Sequence, residues 1–576
     1  MWFEESLNEF NNLEKLKTQM PNKQQKCIFV ENKMMYKNIF WVFCLLGFVS
    51  CRGLQEMEKA EESFQTLTES TVLLTPKDQF SRSSYGNYQL KVSGSPYEIG
   101  YKTGKLTDSL YRLQERIFFD KVKEMTGTAK KQKFLLNFLR WYHRDMTKYV
   151  SEDYQKELYG LSQFSSGALD SLATPFQRAM MLHGAHDIGH AMQDLMLVGC
   201  SSVAVHNSFS SDGSLWIARN FDFYVSDEFA ENKIIAFVEP DQGYNYVSVT
   251  WPGMLGVVSG MNEKGLTVTI NAGKSSIPLK AKQPVSLVVK EILQYASTIA
   301  EAQKIAFSKE LFVSEALLVG SATDNKAVII ELSPKKQGIY ESENDFLICT
   351  NHFQSAAFQK DKRNIKHKLT SHSEYRFQLI DAFMQKHPKI DEVVLAKMLR
   401  KTSGLNNKDI GYGNEKALNQ LLAHHAVIFH PETLQMWVSN APYQLGAFEM
   451  YDLHNVFENN SLKTVKEAVV AEDTFLHTKE FQNVLEYRLL LKQLIEQINA
   501  EETVPLSEAH RLTTLNPEFW QAYFWAGRIA FSSQKYQKAV DFFETALNKE
   551  VSTKQEEASI EKWIKKCQKK IKKRPK

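Results

Sequence analysis

The pattern of apolar and polar positions divides the chain into three zones. Apolar residues recur at helical spacing up to about residue 196, alternate with polar residues in short runs from residue 201, and return to helical spacing after about residue 474. In the middle zone, helical stretches at 285–296 and 298–307 interrupt the strands. Antiparallel strands, two helices and further strands predict a layered α+β fold.

The middle zone opens with a predicted β-hairpin that carries candidate chemistry. An alternating strand follows Gly199 and Cys200, and the turn 210–213 returns a second strand bearing Arg219 and Asp222. Glycine before cysteine permits a backbone geometry in which the thiol reaches the preceding carbonyl. Scission there would leave a cysteine with a nucleophilic thiol and an α-amine of pKa about 7.7–8.0. These residues predict an N-terminal-nucleophile hydrolase.

The N-terminal part of the chain contains a predicted export signal. The apolar run 39–49 is too short to span a bilayer but suits the core of a signal peptide. Phe48-Val49-Ser50-Cys51 resembles a bacterial lipobox, which predicts lipidation of Cys51 and anchoring in the cell envelope, facing the periplasm or on the outer membrane. An ordinary signal peptide or a short anchor is the alternative. We expect translation to begin at Met34 or Met35.

Shifts in composition predict five segments. They are an upstream extension with a signal peptide (1–51), a polar tether (52–84), a mostly helical pro-region (85–199), a catalytic domain (200–473) and a helical repeat-like domain (474–576). In the pro-region, Ser95 to Glu98 predicts a capped helix start. Gly100 and Gly104, one turn apart, predict a flat helix face for close packing.

The C-terminal segment resembles a helical repeat. Five residues fall at tetratricopeptide offsets: Tyr523, Gly527, Ala539, Phe543 and Ala546. One repeat cannot bury its own faces, so 482–513 is expected to supply a degenerate partner. Such repeats serve as docking surfaces, which predicts a protein partner for the tail and chemistry that does not depend on it.

The composition and the absence of certain motifs argue against several classes of protein function. The 576 residues are 43% hydrophobic and 24% charged, with a net charge of +3 that argues against a nucleic-acid partner. Six cysteines without regular spacing are not a disulfide framework. The sequence contains no Gly-x-Ser-x-Gly elbow, Walker loop, Gly-x-Gly-x-x-Gly or paired Cys-x-x-Cys. We therefore expect neither a cofactor nor a metal.

Four motifs occur in an order that resembles a known family. They are Gly199-Cys200-Ser201-Ser202, Arg219-Asn220-Phe221-Asp222-Phe223, Gly260 to Leu266, and Thr350-Asn351-His352-Phe353. The set is similar to the acyl-coenzyme A:6-aminopenicillanate acyltransferase family of cysteine peptidases. It is more distantly similar to bile-salt and penicillin V hydrolases and to acid ceramidase. The resemblance covers about residues 88 to 445. It implies an αββα sandwich activated by self-cleavage between Gly199 and Cys200.

The resemblance also implies the roles of six site residues. Cys200 would be the nucleophile and its α-amine the base, flanked by Arg219 and Asp222. Asn271 would line the oxyanion hole, and Asn351 and Arg376 would complete the site. Purely structural roles are the alternatives: a structural ion pair for Arg219 with Asp222, a strand end for Asn271, and a position on a solvated helix face for Arg376 or the nearby Arg363. Cys349, close to Asn351, is expected to be a core residue.

The predicted function is an autoproteolytically activated cysteine amidohydrolase or acyltransferase acting on a small-molecule N-acyl amide through a thioester. Hydrolysis is favoured, since an exported enzyme would meet little acyl-coenzyme A. One alternative is a non-catalytic envelope lipoprotein that binds partners through its tail. A weaker one is a zinc hydrolase using His186 and His190 at i, i+4, although Asp187 replaces the usual Glu, and packing histidines explain the same residues.

Overall fold

Two β-sheets lie face to face in the centre of the molecule, with helices on both outer faces. The computed structural model describes residues 56–67, 72–170, 173–191, 199–275, 280–500 and 502–573. The predicted signal peptide, start codon and lipidated Cys51 lie outside these residues, and their assignments stay predictions. Within the described ranges, no helix combines the length and apolar character needed to cross a membrane.

The strands of the described residues form one sheet of nine and one of six. The strands are β1 Gln79–Arg82, β2 Tyr88–Gly94, β3 Ser201–Val205, β4 Trp216–Phe221, β5 Ile234–Pro240, β6 Tyr246–Thr250, β7 Ser259–Asn262, β8 Leu266–Ala272, β9 Glu315–Ser321, β10 Lys326–Leu332, β11 Gln337–Tyr340, β12 Phe346–Cys349, β13 His425–His430, β14 Gln435–Ser439 and β15 Phe448–Asp452. The larger sheet has the order β1-β2-β5-β6-β7-β8-β9-β10-β11 and the smaller β12-β3-β4-β13-β14-β15. Neighbouring strands are antiparallel except β2 and β5, which are parallel.

The labelled helices lie between these strands and after them. They are α1 Pro96–Thr126, α2 Ala129–His143, α3 Glu152–Ser162, α4 Pro175–Ala191, α5 Asp227–Glu231, α6 Val285–Tyr295, α7 Ile299–Phe307, α8 Lys362–Thr370, α9 Ser373–Met384, α10 Glu392–Leu399, α11 Leu453–Glu458, α12 Lys479–Asn499, α13 Leu506–Leu515, α14 Trp520–Ser532, α15 Tyr536–Asn548 and α16 Lys554–Lys572. The two helices predicted at 285–296 and 298–307 correspond to α6 and α7.

Alternation along the strands builds three apolar layers. In β3, Ala204 faces the larger sheet and packs with Ile235 and Phe237, whereas Val203 and Val205 face the outer helices. Helices α9 and α10 cover the outer face of the smaller sheet, and α1, α3, α6 and α7 cover that of the larger. The predicted α+β class and αββα sandwich are therefore confirmed.

The predicted packing face of the first long helix is also confirmed. A capping box of Ser95 and Glu98 begins α1. A Cβ on Gly100 would lie 1.8 Å from the carbonyl oxygen of Glu157 in α3, and one on Gly104 would lie 2.5 Å from the ring of Phe164. Glycine at these positions lets the two helix backbones approach each other directly.

The structure differs from the expected tether at 52–84. A helical stretch at 56–64 places Met57 and Phe64 at 2% and 4% exposure in the core that covers the larger sheet. Strand β1 then pairs with β2. The prediction rested on the polar average of this segment, but apolar residues spaced seven apart suffice to bury one side of a short helix.

The C-terminal helices have their own core and also pack against the sandwich. Helices α12 to α16 share a buried cluster that includes Phe519, Ala526 and Phe543. Phe481 and Val484 of α12 form a second cluster with Leu421 and Leu445 of the sandwich region. The expectation that the chemistry does not depend on the tail stays a prediction, and this contact argues against it. The tetratricopeptide assignment stays a prediction.

Candidate active site

The β3–β4 hairpin brings the predicted catalytic residues together. Ser202 lies opposite Arg219 in the antiparallel register. One step beyond the strands, the backbone N–H of Gly199 donates to the carbonyl oxygen of Asp222 at 3.0 Å. The turn predicted at 210–213 thus places the Gly199–Cys200 peptide beside Arg219 and Asp222.

Cys200 is buried in the uncleaved chain. Its side chain is fully enclosed, and its Sγ lies 3.6 Å from Nη2 of Arg219. Burial raises the pKa of the Cys200 thiol to about 11, although the positive charge of Arg219 opposes this effect. The thiol of the intact chain is therefore protonated at neutral pH and closed to external molecules.

Hydrogen bonds to the larger sheet hold the buried side chain of Arg219 in place. Its Nη1 donates at 2.5 Å to the carbonyl oxygen of Val258 and to Oγ of Ser259, and its Nη2 donates to the carbonyl oxygen of Ile270. Its guanidinium also lies 4.4 Å above the ring of Phe221. These contacts hold a positive charge against the sulfur.

Asp222 has a strongly perturbed acidity. Burial raises the pKa of its carboxyl to about 7, against the opposing charges of Arg376 and Arg219. Among the described residues, its Oδ1 has no hydrogen-bond partner, whereas its Oδ2 accepts from Nε2 of Gln420 at 3.2 Å. A carboxyl that titrates near pH 7 can both take up and release a proton under neutral conditions.

Arg376 reaches the nucleophile from the outer helical layer. From α9, its Nη1 donates to the carbonyl oxygen of Cys200 and, at 2.7 Å, to Oγ of Ser201. Its Nη2 donates to Oδ1 of Asn351 at 2.7 Å. Arg363, the other candidate, donates instead to the carbonyl oxygen of Ser275. The structure therefore places Arg376 at the site.

The two predicted asparagines lie near the cysteine, but their amide groups face other acceptors. Nδ2 of Asn271 donates to the carbonyl oxygen of Cys349 at 2.8 Å, and its Oδ1 accepts from Ser202. Nδ2 of Asn351 donates to the carbonyl oxygen of Ala272 at 3.0 Å. Their predicted roles stay predictions for the cleaved protein, since in the intact chain these bonds connect the larger sheet to the smaller one.

Three residues at the site were missed by sequence reasoning. They are Gln420, Ser259 and His425. Gln420 contacts both Gly199 and Asp222. Oγ of Ser259 accepts a hydrogen bond from Arg219 and shares another with the ring of His425. The signal for Gln420 is topological: β13 pairs with β4, so residues just before β13 meet those just after β4. Pairing these two strands from sequence would have been needed to find it.

Two other side chains of α4, the helix that carries His186 and His190 of the zinc alternative, have structural partners. Nε2 of His183 accepts from the backbone N–H of Leu255 at 3.0 Å, and Oδ2 of Asp187 accepts from that of Val285 at 2.8 Å. The side chains of His186 and His190 lie outside the described residues. Across the part of the chain that the structure describes, no group of metal-ligating side chains is assembled.

The chain thus stacks two sheets between helical layers and places Cys200 directly before strand β3 of the smaller sheet. Residues 209–439 match the family described as acyl-coenzyme A:6-aminopenicillanic acid acyl-transferase. The resemblance drawn from the motifs is thereby confirmed for this part of the chain. The match begins after Cys200 and includes the other five predicted site residues.

Individual proteins are similar over part of the chain. An uncharacterised protein of Archaeoglobus fulgidus is 22% identical, covering 48% of this chain and 52% of its own. The N-acylethanolamine-hydrolyzing acid amidase of Caenorhabditis elegans is 23% identical, covering 40% and 65%. A mutant conjugated bile acid hydrolase of Clostridium perfringens, a solved structure, is 14% identical, covering 46% and 96% with a TM-score of 0.30. The chain spans about half the length of the first curated relatives it matches.

Proposed function

We propose that this protein is a cysteine amidohydrolase or acyltransferase that activates itself by breaking the peptide bond between Gly199 and Cys200. The observation that carries this proposal is the buried cluster at that bond. A thiol, a fixed guanidinium and a carboxyl of pKa about 7 surround one glycine–cysteine peptide. Perturbed acidity together with a nucleophile in one buried cluster is typical of catalytic sites.

The first step is an attack by the sulfur on its own preceding carbonyl. Sγ of Cys200 bonds to the carbonyl carbon of Gly199, and the bond from that carbon to the Cys200 nitrogen breaks. Asp222 takes the thiol proton and releases it to the departing nitrogen, as its pKa near 7 allows. Water then hydrolyses the thioester, which leaves a carboxylate on Gly199 and an N-terminal Cys200.

The second step turns the same groups on an external amide. The new α-amine of Cys200, with a pKa of about 7.7–8.0, serves as the base. The thiol attacks the substrate carbonyl, and the amine product leaves with a proton from the α-ammonium group. The resulting thioester passes to water or to an acceptor amine. Burial of Cys200 in the intact chain requires that scission precede substrate entry.

The substrate class proposed is an N-acyl amide of a small molecule. Named relatives act on N-acylethanolamines and conjugated bile acids, both of which join an acyl group to an amine. An exported, lipid-anchored location through Cys51 belongs to this proposal, as does a protein partner for the C-terminal helices. Because export separates the enzyme from acyl-coenzyme A, hydrolysis is the favoured outcome.

The test is turnover combined with trapping of the thioester. Purified protein is incubated with N-acylethanolamines, N-acyl amino acids, N-acyl lactones, penicillins and conjugated bile acids, with and without hydroxylamine. The proposal predicts release of the amine from at least one class and an acyl hydroxamate when hydroxylamine is present. Cys200→Ala should abolish both products, whereas Cys567→Ala, a buried cysteine of the tail, should retain them. Turnover that survives Cys200→Ala would contradict the proposal.

A further inference from the structure

Gln420 contacts the peptide bond at which scission is proposed. Its Nε2 donates to the carbonyl oxygen of Gly199 at 2.9 Å and to Oδ2 of Asp222 at 3.2 Å. The side chain is 3% exposed, so water does not compete for these acceptors. A buried side-chain amide therefore lies directly on the carbonyl that the thiol must attack.

The glycine of the scissile pair fits this amide sterically. A Cβ at position 199 would lie 2.7 Å from Nε2 and 3.0 Å from Oε1 of Gln420. Any larger residue would push the amide away from the carbonyl oxygen. This contact explains why glycine precedes Cys200, and it links the sequence signature to a residue more than two hundred positions away.

The loop that carries Gln420 is held on both sides. The backbone N–H of Leu421 donates to Oδ1 of Asn419, whose Nδ2 donates to the carbonyl oxygen of Tyr443. From the tail, Nη1 of Arg488 donates to the carbonyl oxygen of Leu421 at 2.9 Å. Because its neighbours are fixed, the Gln420 amide is oriented before any reaction begins, as electrostatic stabilisation requires.

We infer that Gln420 is a catalytic residue of self-cleavage, the amide donor that stabilises the oxyanion on Gly199. The inference rests on the proposed function. As Sγ of Cys200 bonds to the carbonyl carbon, the carbonyl electron pair moves onto the Gly199 oxygen, where Nε2 already donates. Collapse of this intermediate expels the Cys200 nitrogen, which takes the proton held by Asp222. In the intact chain the amides of Asn271 and Asn351 donate instead to Cys349 and Ala272.

The bond to Asp222 gives Gln420 a second, measurable effect. An amide donor on a carboxylate favours the ionised form, so removal of the Gln420 bond should raise the pKa of Asp222. The pH at which scission reaches half its maximal rate should therefore move upward when Gln420 is replaced. A residue that merely supports the fold would not move this midpoint.

The experiment measures scission rates by mass spectrometry, starting from uncleaved chain that is recovered in denaturant before it folds and is then refolded at pH 6 to 9. Gln420→Met keeps the length of the side chain and removes the donor, and Gln420→Glu replaces the donor nitrogen with oxygen. Gln155→Met is the matched control, since Gln155 is also buried and donates to backbone carbonyls, those of Thr147 and Val150 in the pro-region. Loss of one oxyanion donor predicts a slowing of roughly 10²- to 10³-fold for both Gln420 variants, with little change for the control.

The outcomes distinguish a failure of the proposed function from a failure of the inference about Gln420. If the wild-type chain does not cleave, the proposed function fails. If it cleaves and a folded Gln420 variant cleaves as fast, with the same pH midpoint, the inference is wrong. Should Gln420→Met not fold, Gly199→Ala displaces the amide from the other side. It should slow scission in a chain that keeps Gln420, and an unchanged rate would overturn the inference.

Discussion

Replacing Asp222 with Asn should make the protein more stable at alkaline pH while it slows self-cleavage. Burial raises the pKa of Asp222 from its usual 3.8 to about 7, so the fold opposes ionisation of this carboxyl. Below pH 3.8 the group is protonated in both folded and unfolded chains. As the pH rises to about 7, only the unfolded chain ionises readily, and folding stability falls. Above pH 7 the loss levels off.

The size of this loss follows from the two pKa values. A difference between 3.8 and about 7 corresponds to about 4 kcal/mol, at 1.36 kcal/mol per pKa unit. Asparagine removes the loss but leaves a buried amide incompletely hydrogen-bonded, at a cost of about 1–3 kcal/mol. That cost is independent of pH. The stability advantage of Asp222→Asn should therefore grow by about 3 kcal/mol between pH 5 and pH 8.

The assay is urea unfolding at pH 5 and pH 8, with Cys200→Ala in both chains so that neither is cleaved. Asp212→Asn is a control of opposite sign. Burial is outweighed there by hydrogen bonds from Ser214 and Ser210, which hold the pKa of Asp212 well below its usual range. That variant should be less stable than its parent by the same amount at pH 5 and at pH 8, because a lowered pKa contributes stability that is already complete above pH 3.8. An advantage of Asp222→Asn that does not change with pH would refute the reasoning.

Three further predictions concern the site, the pro-region and the tail. Arg376→Ala leaves several buried acceptors without their donor, so it should destabilise the fold by about 3–5 kcal/mol and prevent scission. Arg363→Ala should have neither effect. Urea unfolding measures the stability, and mass spectrometry detects the scission. Gly100→Ala forces two helices apart and should lower the free energy of unfolding by about 1–3 kcal/mol. Gly167→Ala should not, because a Cβ there would lie 3.7 Å from the nearest atom, Oδ2 of Asp170. Equal unfolding midpoints for the two variants would contradict this prediction. Truncation after Asp473 removes the hydrogen bond from Arg488 of the tail to the loop that bears Gln420, so it should slow scission roughly tenfold or more. A soluble truncated chain that cleaves at the full-length rate would show that the loop does not depend on the tail.

The fold could be predicted where local patterns decide it. Alternation in 201–205 and the turn at 210–213 specify the central hairpin, and the glycines at 100 and 104 specify a helix contact. The helical stretch at 56–64 was missed because its few apolar residues are diluted by charges. Its burial depends on a core built by distant segments, which composition does not reveal.

The site could be predicted only as far as motifs reach. Cys200, Arg219 and Asp222 lie within one hairpin, so local structure brings them together. Gln420 belongs to no motif and reaches the site through the pairing of β4 with β13, a long-range contact. The hydrogen bonds of Asn271 likewise depend on which strands of the smaller sheet face it, which spacing along the chain does not determine.

The most direct test of the account is the mass of the purified wild-type protein after denaturation. Self-cleavage predicts two fragments, the second beginning with Cys200, and a single uncleaved chain for Cys200→Ala prepared in parallel. Reaction of the second fragment with a reagent specific for N-terminal cysteine identifies the new terminus. A wild-type protein that turns over an amide substrate while its Gly199–Cys200 bond remains intact would contradict the account.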